Sequence, residues 1–194
     1  MKIIGITGSS GSGKSTLSKI LGQELNARII DADKVVKQLQ QKGTKYYKEI
    51  VETFGQEILQ EDGSLNRKKL AQIIFQDELK KEILDNLTYK YVVEEIKKQV
   101  KDAKEKYIII DAPLLIESKL NEICDTVIAV ISEKKEQIKR ICKRDNIKES
   151  KAKIRLGAQK DNEFYKTNAD YIVENNGGKN DELMGRIRKL VQKL

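Results

Sequence analysis

The sequence predicts a three-layer α/β fold in which a five-stranded parallel sheet lies between helices on both faces. Three observations carry this prediction. Short runs rich in isoleucine and valine alternate with longer segments of helical periodicity. The first run ends in a glycine-rich loop that is followed directly by a helical pattern. A long helical stretch at about 44–100 contains no strand of its own, so we expect an inserted helical subdomain there.

Five runs are predicted as strands because each is short and rich in β-branched residues. They lie at 2–7, 27–30, 107–110, 126–131 and 171–173. Helices are predicted by apolar spacing at 15–24, 34–40, 46–54, 79–100, 133–144, 151–160 and from residue 180. One more helix should end near residue 75, and either Ser64 or Asn66 could cap its start.

The composition indicates one globular domain, spanning 1–194, that carries the insertion. Hydrophobic residues make up 39% of the chain and charged residues 35%. No apolar run approaches the roughly 20 residues that span a bilayer, and the apolar N-terminal run is too short for a signal peptide. We therefore expect a cytoplasmic protein without a membrane partner.

Missing residue types exclude several kinds of site. The chain has no histidine, which excludes histidine zinc sites and Ser-His-Asp triads. Cys124 and Cys142 form no C-x-x-C pair and are expected to be buried or half-buried free thiols without a function. Lys and Arg number 38 against 30 Asp and Glu, but the basic residues are scattered along helical segments. Most of them should lie on solvated helix faces, so no nucleic-acid partner is predicted.

The glycine-rich loop at 8–15 matches the pattern G-x-x-x-x-G-K-[ST] in full. Glycines let the backbone approach phosphate oxygens, and successive amides at a helix N-terminus form an anion nest. Lys14 would bring a positive charge to the β- and γ-phosphates, and the Ser15 hydroxyl would ligate Mg²⁺. The loop in its strand–helix context therefore predicts a P-loop NTPase fold that binds a nucleoside triphosphate with Mg²⁺. The predicted nucleotide-binding residues are Gly11, Ser12, Gly13, Lys14, Ser15 and Thr16.

The remaining motifs favour a kinase that acts on a small molecule. A GTPase would carry an N-K-x-D motif, which the chain lacks, and larger ATPases have an acidic pair where this chain reads Asp111-Ala112-Pro113. Asp33, just after the second strand, could receive the proton of the acceptor hydroxyl. The alternative is that Asp33 caps a helix or pairs with Lys37 four residues later.

Arg140 and Arg144 lie four residues apart on a predicted helix, and therefore on the same face. Guanidinium groups on such a late helix could close over ATP and neutralise charge during phosphoryl transfer. Exposed arginines without a role are common on helices, so this pattern alone leaves both readings open.

Several segments, in order along nearly the whole chain, resemble the dephospho-CoA kinase family. They are 7–16, 31–33, 62–67 with Leu70 and 74–75, 113–117, the set Gln137, Arg140 and Arg144, the pair Arg155 and Gln159, and 169–177. The P-L-L-x-E string at 113–117 and the A-D…N-x-G pattern at 169–177 are specific to that family, whereas the phosphate loop is not.

The resemblance implies ATP-dependent phosphorylation of the ribose 3′-hydroxyl of dephospho-CoA, the last step of coenzyme A biosynthesis, with Mg²⁺. It implies that Asp33, Lys14 and Arg140 are catalytic, with Asp33 as the base, and that a helical lid at about 133–160 carries Arg140. The other implied nucleotide-binding residues are Arg144, Asn175 and Gly177, the last two near the adenine. The implied acceptor residues are Asp33, Lys37, Arg67, Pro113, Leu114 and Glu117, and Asp111 would hold Mg²⁺ through water.

Three positions differ from the usual sequence of that family. Thr88-Tyr89 replaces His-Pro, Lys37 replaces Arg or His, and Ser9-Ser10 replaces Gly-Ile. The last change, together with Tyr46-Tyr47, is also similar to uridine kinase, so a nucleoside or nucleotide kinase of that type is the alternative. A regulatory P-loop ATPase that needs no acceptor is a further one. The protein is expected to be a monomer or a small homo-oligomer.

Overall fold

The computed structural model describes residues 1–177 and 180–194, which fold into two compact units. The sheet unit comprises Met1–Asp31 and Ala103–Leu194, and the helical unit comprises Ala32–Asp102. The strands are β1 Lys2–Thr7, β2 Arg28–Asp31, β3 Tyr107–Asp111, β4 Thr126–Ile131 and β5 Tyr171–Glu174. The helices are α1 Lys14–Glu24, α2 Ala32–Leu39, α3 Lys45–Phe54, α4 Arg67–Gln76, α5 Glu78–Lys101, α6 Lys134–Asp145, α7 Glu149–Gly157, α8 Asn162–Thr167 and α9 Asn180–Val191.

The five strands form one parallel sheet in the order β2-β3-β1-β4-β5. This confirms the predicted fold class. The carboxyl ends of β1, β2 and β3 are aligned, because Ile6 and Asp31 both pair in register with Asp111. The loop after β1 and the acidic ends of β2 and β3 consequently lie at the same edge of the sheet.

Alternate residues of the strands bury opposite faces of the sheet. On one face, Ile128 and Val130 of β4 belong to a core with Leu17 and Leu21 of α1, which also includes residues of α9. On the other face, Ala129 and Ile131 pack against Tyr165 of α8. Helices therefore cover both faces of the sheet, as predicted.

The helical unit has its own apolar core. Its buried members are Tyr46, Tyr47, Ile50, Phe54, Ile58, Leu65, Leu70 and Leu87, contributed by α3, α4, α5 and the connection before α4. The side chain of Asn66 accepts a hydrogen bond from the Lys69 amide at 3.0 Å, so Asn66 caps α4. Helix α5 runs without a break through Thr88, whose hydroxyl lies 2.7 Å from Tyr46 Oη.

Two features of the sheet unit differ from the sequence expectation. Helix α7 ends at Gly157, three residues before the predicted end, and the short helix α8 was not predicted. Helix α8 has six residues, which is too few for a periodic signal, and it depends on the Asp161 cap and the burial of Tyr165. Within residues 1–177 and 180–194, no helix combines the length and the apolar character that crossing a membrane requires.

Candidate active site

The phosphate loop connects the end of β1 to the start of α1. Gly11 and Gly13 have φ values of 75° and 100°, in the left-handed region that favours glycine. A Cβ atom on Gly11 would lie 2.6 Å from the backbone oxygen of Gln137, and one on Gly13 would overlap the Asn175 amide. Both glycines are therefore required by the backbone conformation and by the space around it.

The carbonyl oxygens of the loop are hydrogen-bonded by two of the predicted site residues. Arg140 Nη1, on α6, donates to the carbonyl oxygens of Gly11 at 3.0 Å and Ser12 at 3.2 Å. Asn175 Nδ2, just after β5, donates to the same Ser12 oxygen at 2.8 Å. Arg140 Nη2 also donates to the backbone oxygen of Asn175 at 2.9 Å, so the structure brings both residues together against the loop.

Two glutamines that were not among the predicted site residues also contact the loop. Gln137 is 2% exposed and donates from Nε2 to Ser9 Oγ at 2.5 Å. Gln159, after α7, accepts a hydrogen bond from the Ser10 amide at 2.8 Å. The spacing of three residues between Gln137 and Arg140 on one helix is the signal that could have identified the first of them.

Lys14 forms an ion pair with Asp111. Its Nζ donates to Asp111 Oδ1, and the two side chains are only 12% and 8% exposed. The ammonium group predicted to bind phosphate is thus paired with a carboxylate of the protein. Phosphate oxygens would have to take the place of Asp111 on this lysine.

The residues predicted to hold Mg²⁺ have suitable chemistry for it. Ser15 and Asp111 offer hydroxyl and carboxylate oxygens, the ligand type that Mg²⁺ prefers. Ser15 and Thr16 are exposed in the first turn of α1. Among the described residues, no group of three or more Asp, Glu, Cys or His could hold a metal ion. The oxygen atoms of Ser15 and Asp111 therefore fit a Mg²⁺ ion that takes one or two ligands from the protein.

Arg144 and Arg155 share one carboxylate in the segment predicted as a lid. Arg144 donates from Nε and Nη2 to the two Asp145 oxygens at 2.8 and 2.9 Å, and Arg155 Nη1 donates to Asp145 Oδ2. The hydrogen bonds from Arg144, followed by the charges of both arginines, lower the pKa of Asp145 to about 2. Asp145 is therefore ionised at neutral pH and balances both arginines.

The end of the chain's last strand carries the two residues predicted near the adenine. The Asn175 amide donates to the Ile131 carbonyl at 2.9 Å, which extends the β4–β5 pairing by one residue. Gly177 has a φ of 77°, and a Cβ atom there would lie 3.2 Å from Glu136 Oε2 of α6. The adenine contacts of Asn175 and Gly177 stay a prediction.

The segment after β3 contains three of the predicted acceptor residues. Thr7 Oγ1 donates to the Pro113 carbonyl at 3.1 Å, which places Pro113 beside the start of the phosphate loop. Leu114 is 46% exposed. Glu117 Oε2 is buried and has no hydrogen-bond partner among the described residues. Burial, together with the charge of Glu117, raises the pKa of Tyr165 to about 12.

The helical unit contains a cleft of about 600 Å³ that is rich in cations. Four of its lining residues are basic, namely Lys37, Lys42, Arg67 and Lys68, and none is acidic. The rest are Gln40, Gln41, Gln60, Ser64, Leu65 and Asn66. The cleft thus brings together two predicted acceptor residues, Lys37 and Arg67, that lie 30 positions apart in the sequence.

Asp33 lies in the first turn of α2, four residues before Lys37. This spacing places the two side chains on the same face of the helix. The side chain of Asp33 is exposed. Its function as a base stays a prediction.

Comparisons with known proteins identify the family. The family model for dephospho-CoA kinase matches residues 2–181. A dephospho-CoA kinase of Bacillus cereus is 40% identical over 182 residues, which cover 90% of this chain and 88% of that protein. The structure of a dephospho-CoA kinase from Campylobacter jejuni has a TM-score of 0.69 at 29% identity, covering 100% of this chain and 97% of that one. A shikimate kinase from Acinetobacter baumannii, 17% identical with a TM-score of 0.59 over 100% of this chain and 94% of that one, shares the fold.

The neighbours confirm the predicted P-loop kinase fold, and the names of the close relatives favour the predicted family over a uridine-kinase-like one. The matched region includes the phosphate loop, Asp111, Arg140 and Asn175. With a family match over nearly the whole sequence and a relative at 40% identity, the chain belongs to the dephospho-CoA kinase family.

Proposed function

We propose that this protein transfers the γ-phosphoryl group of ATP to the ribose 3′-hydroxyl of dephospho-CoA, giving CoA and ADP. This reaction would be the last step of coenzyme A biosynthesis. The observation that carries the proposal is the complete phosphate loop, with its Lys14–Asp111 ion pair, in a chain of the dephospho-CoA kinase family. A loop of this kind binds a triphosphate, and the family supplies the expected acceptor.

On the nucleotide side, phosphate oxygens would replace Asp111 as the partner of Lys14. Loop amides and the N-terminus of α1 would bind the remaining phosphate charge. The Ser15 hydroxyl would bind Mg²⁺ directly. The Asp111 carboxylate would bind Mg²⁺ through water once it no longer pairs with Lys14. When bound, Mg²⁺ neutralises charge on the β- and γ-phosphates.

On the acceptor side, Asp33 is proposed as the base. The proton of the 3′-hydroxyl would pass to its carboxylate while that oxygen bonds to the γ-phosphorus and the bond to the β-phosphate oxygen breaks. The cation-lined cleft supports binding of the diphosphate of dephospho-CoA, because four basic residues without an acidic one attract a polyanion. Pro113, Leu114 and Glu117 are proposed to line the path of the acceptor.

The segment at about 133–160 is proposed to act as the lid. Arg144 and Arg155 would exchange Asp145 for phosphate oxygens as the lid closes, which would exclude water from the transfer. A direct contact of Arg140 with the transferred phosphoryl group stays a prediction. The cytoplasmic location and the oligomeric state also stay predictions.

The test is release of ADP from Mg²⁺-ATP by the purified protein, with dephospho-CoA, uridine, cytidine, AMP or no acceptor. We expect strong turnover only with dephospho-CoA and a product with the mass of CoA. Turnover with a nucleoside would support the uridine-kinase-like alternative instead. Equal turnover without an acceptor would contradict a kinase function and favour a regulatory ATPase.

A further inference from the structure

We propose that Arg140 and Asn175 are positioning residues that act on the bound nucleotide through the peptide groups of the phosphate loop. The inference rests on the proposed function only in assuming that this loop binds ATP and ADP. It differs from the lid prediction, in which Arg140 touches the transferred phosphoryl group. The difference lies in what the guanidinium contacts, namely carbonyl oxygens of the loop rather than the space in front of its amides.

The Ser12 carbonyl is the point on which both residues act. It accepts from Asn175 Nδ2 at 2.8 Å and from Arg140 Nη1 at 3.2 Å. In a trans peptide the carbonyl and the amide of one plane point in opposite directions. Holding the Ser12 oxygen therefore directs the Gly13 amide away from Arg140 and Asn175. The Gly13 amide has no acceptor among the described residues, which leaves it available to a phosphate oxygen.

The Gly11 carbonyl supports the same arrangement. Arg140 Nη1 donates to it at 3.0 Å, and the amide of that peptide group, which belongs to Ser12, closes a turn on the Ser9 oxygen at 3.2 Å. One guanidinium nitrogen thus fixes two successive peptide planes. The positive charge of Arg140 also polarises these carbonyls, and in a chain of hydrogen bonds this strengthens the amide as a donor.

Arg140 and Asn175 are themselves anchored to the end of β4. Ser132 Oγ donates to the Asn175 carbonyl at 2.6 Å, and Arg140 Nη2 donates to that oxygen at 2.9 Å and to Asn175 Oδ1 at 3.3 Å. The loop is therefore joined to the carboxyl end of β4 by two side chains that contact its carbonyl oxygens. This arrangement explains why an arginine suits the position, since a lysine ammonium could not span the Gly11, Ser12 and Asn175 oxygens from one planar fork.

Binding of ADP separates the two roles of Arg140. Loop amides cradle the α- and β-phosphates, which ADP and ATP share. Removal of a residue that positions these amides should weaken the binding of ADP and the binding of ATP by the same factor. Removal of a lid arginine that neutralises the transferred group should instead lower kcat and leave ADP binding nearly unchanged.

The experiment is isothermal titration with ADP and with ATP, in the absence of any acceptor, for Arg140→Ala, Arg140→Lys and Asn175→Ala. Lys139→Ala is the matched control, because it removes an exposed positive charge from the neighbouring position of α6. We expect Arg140→Ala to raise both dissociation constants by about 10- to 100-fold, as for loss of a charged hydrogen bond. Arg140→Lys should raise both by a smaller factor, Asn175→Ala by about 3- to 10-fold, and Lys139→Ala by less than about twofold.

The double variant Arg140→Ala/Asn175→Ala tests whether both residues act through the same peptide group. The fold-increase in the dissociation constant of ADP should be smaller than the product of the increases in the two single variants, because Arg140 and Asn175 both contact the Ser12 oxygen. If Arg140→Ala does not fold, the ADP affinities of Arg140→Lys and Asn175→Ala test the proposal. Unchanged ADP affinity in those two variants would overturn the proposal. Failure of the wild type to phosphorylate dephospho-CoA would contradict the proposed function but not this inference, because nucleotide binding is measured without the acceptor.

Discussion

Replacing Asp111 by alanine should destabilise the protein without nucleotide, because it removes the partner of a nearly buried ammonium group. Lys14 and Asp111 are 12% and 8% exposed. Breaking a fully buried ion pair by deleting one partner costs about 3–5 kcal/mol. The residual exposure of Lys14 favours the lower end, so we expect a loss of about 3 kcal/mol in the free energy of unfolding. For a chain of this size that corresponds to a fall in Tm of about 6–12 °C.

Adding ADP in EDTA should reverse part of this loss. In the proposed binding mode, ADP displaces Asp111 from Lys14 in the wild type, whereas in Asp111→Ala the lysine has no carboxylate partner to lose. The rise in Tm on saturation with ADP should therefore be larger in the variant than in the wild type. EDTA removes Mg²⁺ from the comparison, so that a loss of metal binding at Asp111 does not mask the effect.

A matched control is Asp85→Ala, which removes the carboxylate from an exposed ion pair with Lys81. Lys81 and Asp85 lie 3.4 Å apart, and their side chains are 50% and 39% exposed. Such a pair contributes at most about 1 kcal/mol. The measurement is thermal unfolding followed by circular dichroism. If Asp111→Ala unfolds within the range of this control, or if ADP stabilises it no more than the wild type, the exchange argument for Lys14 is refuted.

Three further outcomes are expected. Asp33→Asn should lower kcat by about 10²–10⁴-fold with ADP affinity within a factor of two, and a variant with more than half the wild-type activity would exclude Asp33 as the base. Gly13→Ala should raise the dissociation constant of ADP at least about tenfold, because Gly13 has a φ of 100° and a Cβ atom there would overlap the Asn175 side chain. The control Gly157→Ala, in α7, places its Cβ atom in open space and should change that dissociation constant little. Burial raises the pKa of the Cys124 thiol to about 12, so in a Cys142→Ser background Cys124 should react with a disulfide reagent at pH 8 only after unfolding; fast labelling of the native variant would contradict this.

The strands and the phosphate loop were the parts that the sequence could predict. The predicted strand limits differ from the observed ones by at most one residue, because each strand is a short run rich in apolar and β-branched residues. The loop pattern was equally clear, since the motif requires glycines at the positions where the backbone has positive φ. The cysteines are free and half-buried, as expected.

The contacts of the site were not accessible in the same way, because they join residues far apart in the chain. Arg140 meets Gly11 across 129 positions, and no local pattern indicates which face of the loop its guanidinium contacts. Lys37 and Arg67 were assigned to the acceptor from the family resemblance, and only the packing of the helical unit shows that they line one cleft. The helical unit begins at Ala32, before the predicted insertion at about 44, because α2 packs against α5.

We propose that nucleotide binding exchanges the partners of three cations in the sheet unit. Lys14 pairs with Asp111, and Arg144 and Arg155 share Asp145. The Lys14–Asp111 pair lets the protein fold without an uncompensated charge in a nearly buried position. The free energy of triphosphate binding would therefore be the difference between the contacts that the phosphates form and the carboxylate contacts that they displace. Under the proposed function, Asp111 would then be available to hold Mg²⁺ through water, and phosphate binding and metal binding would be coupled through this one carboxylate.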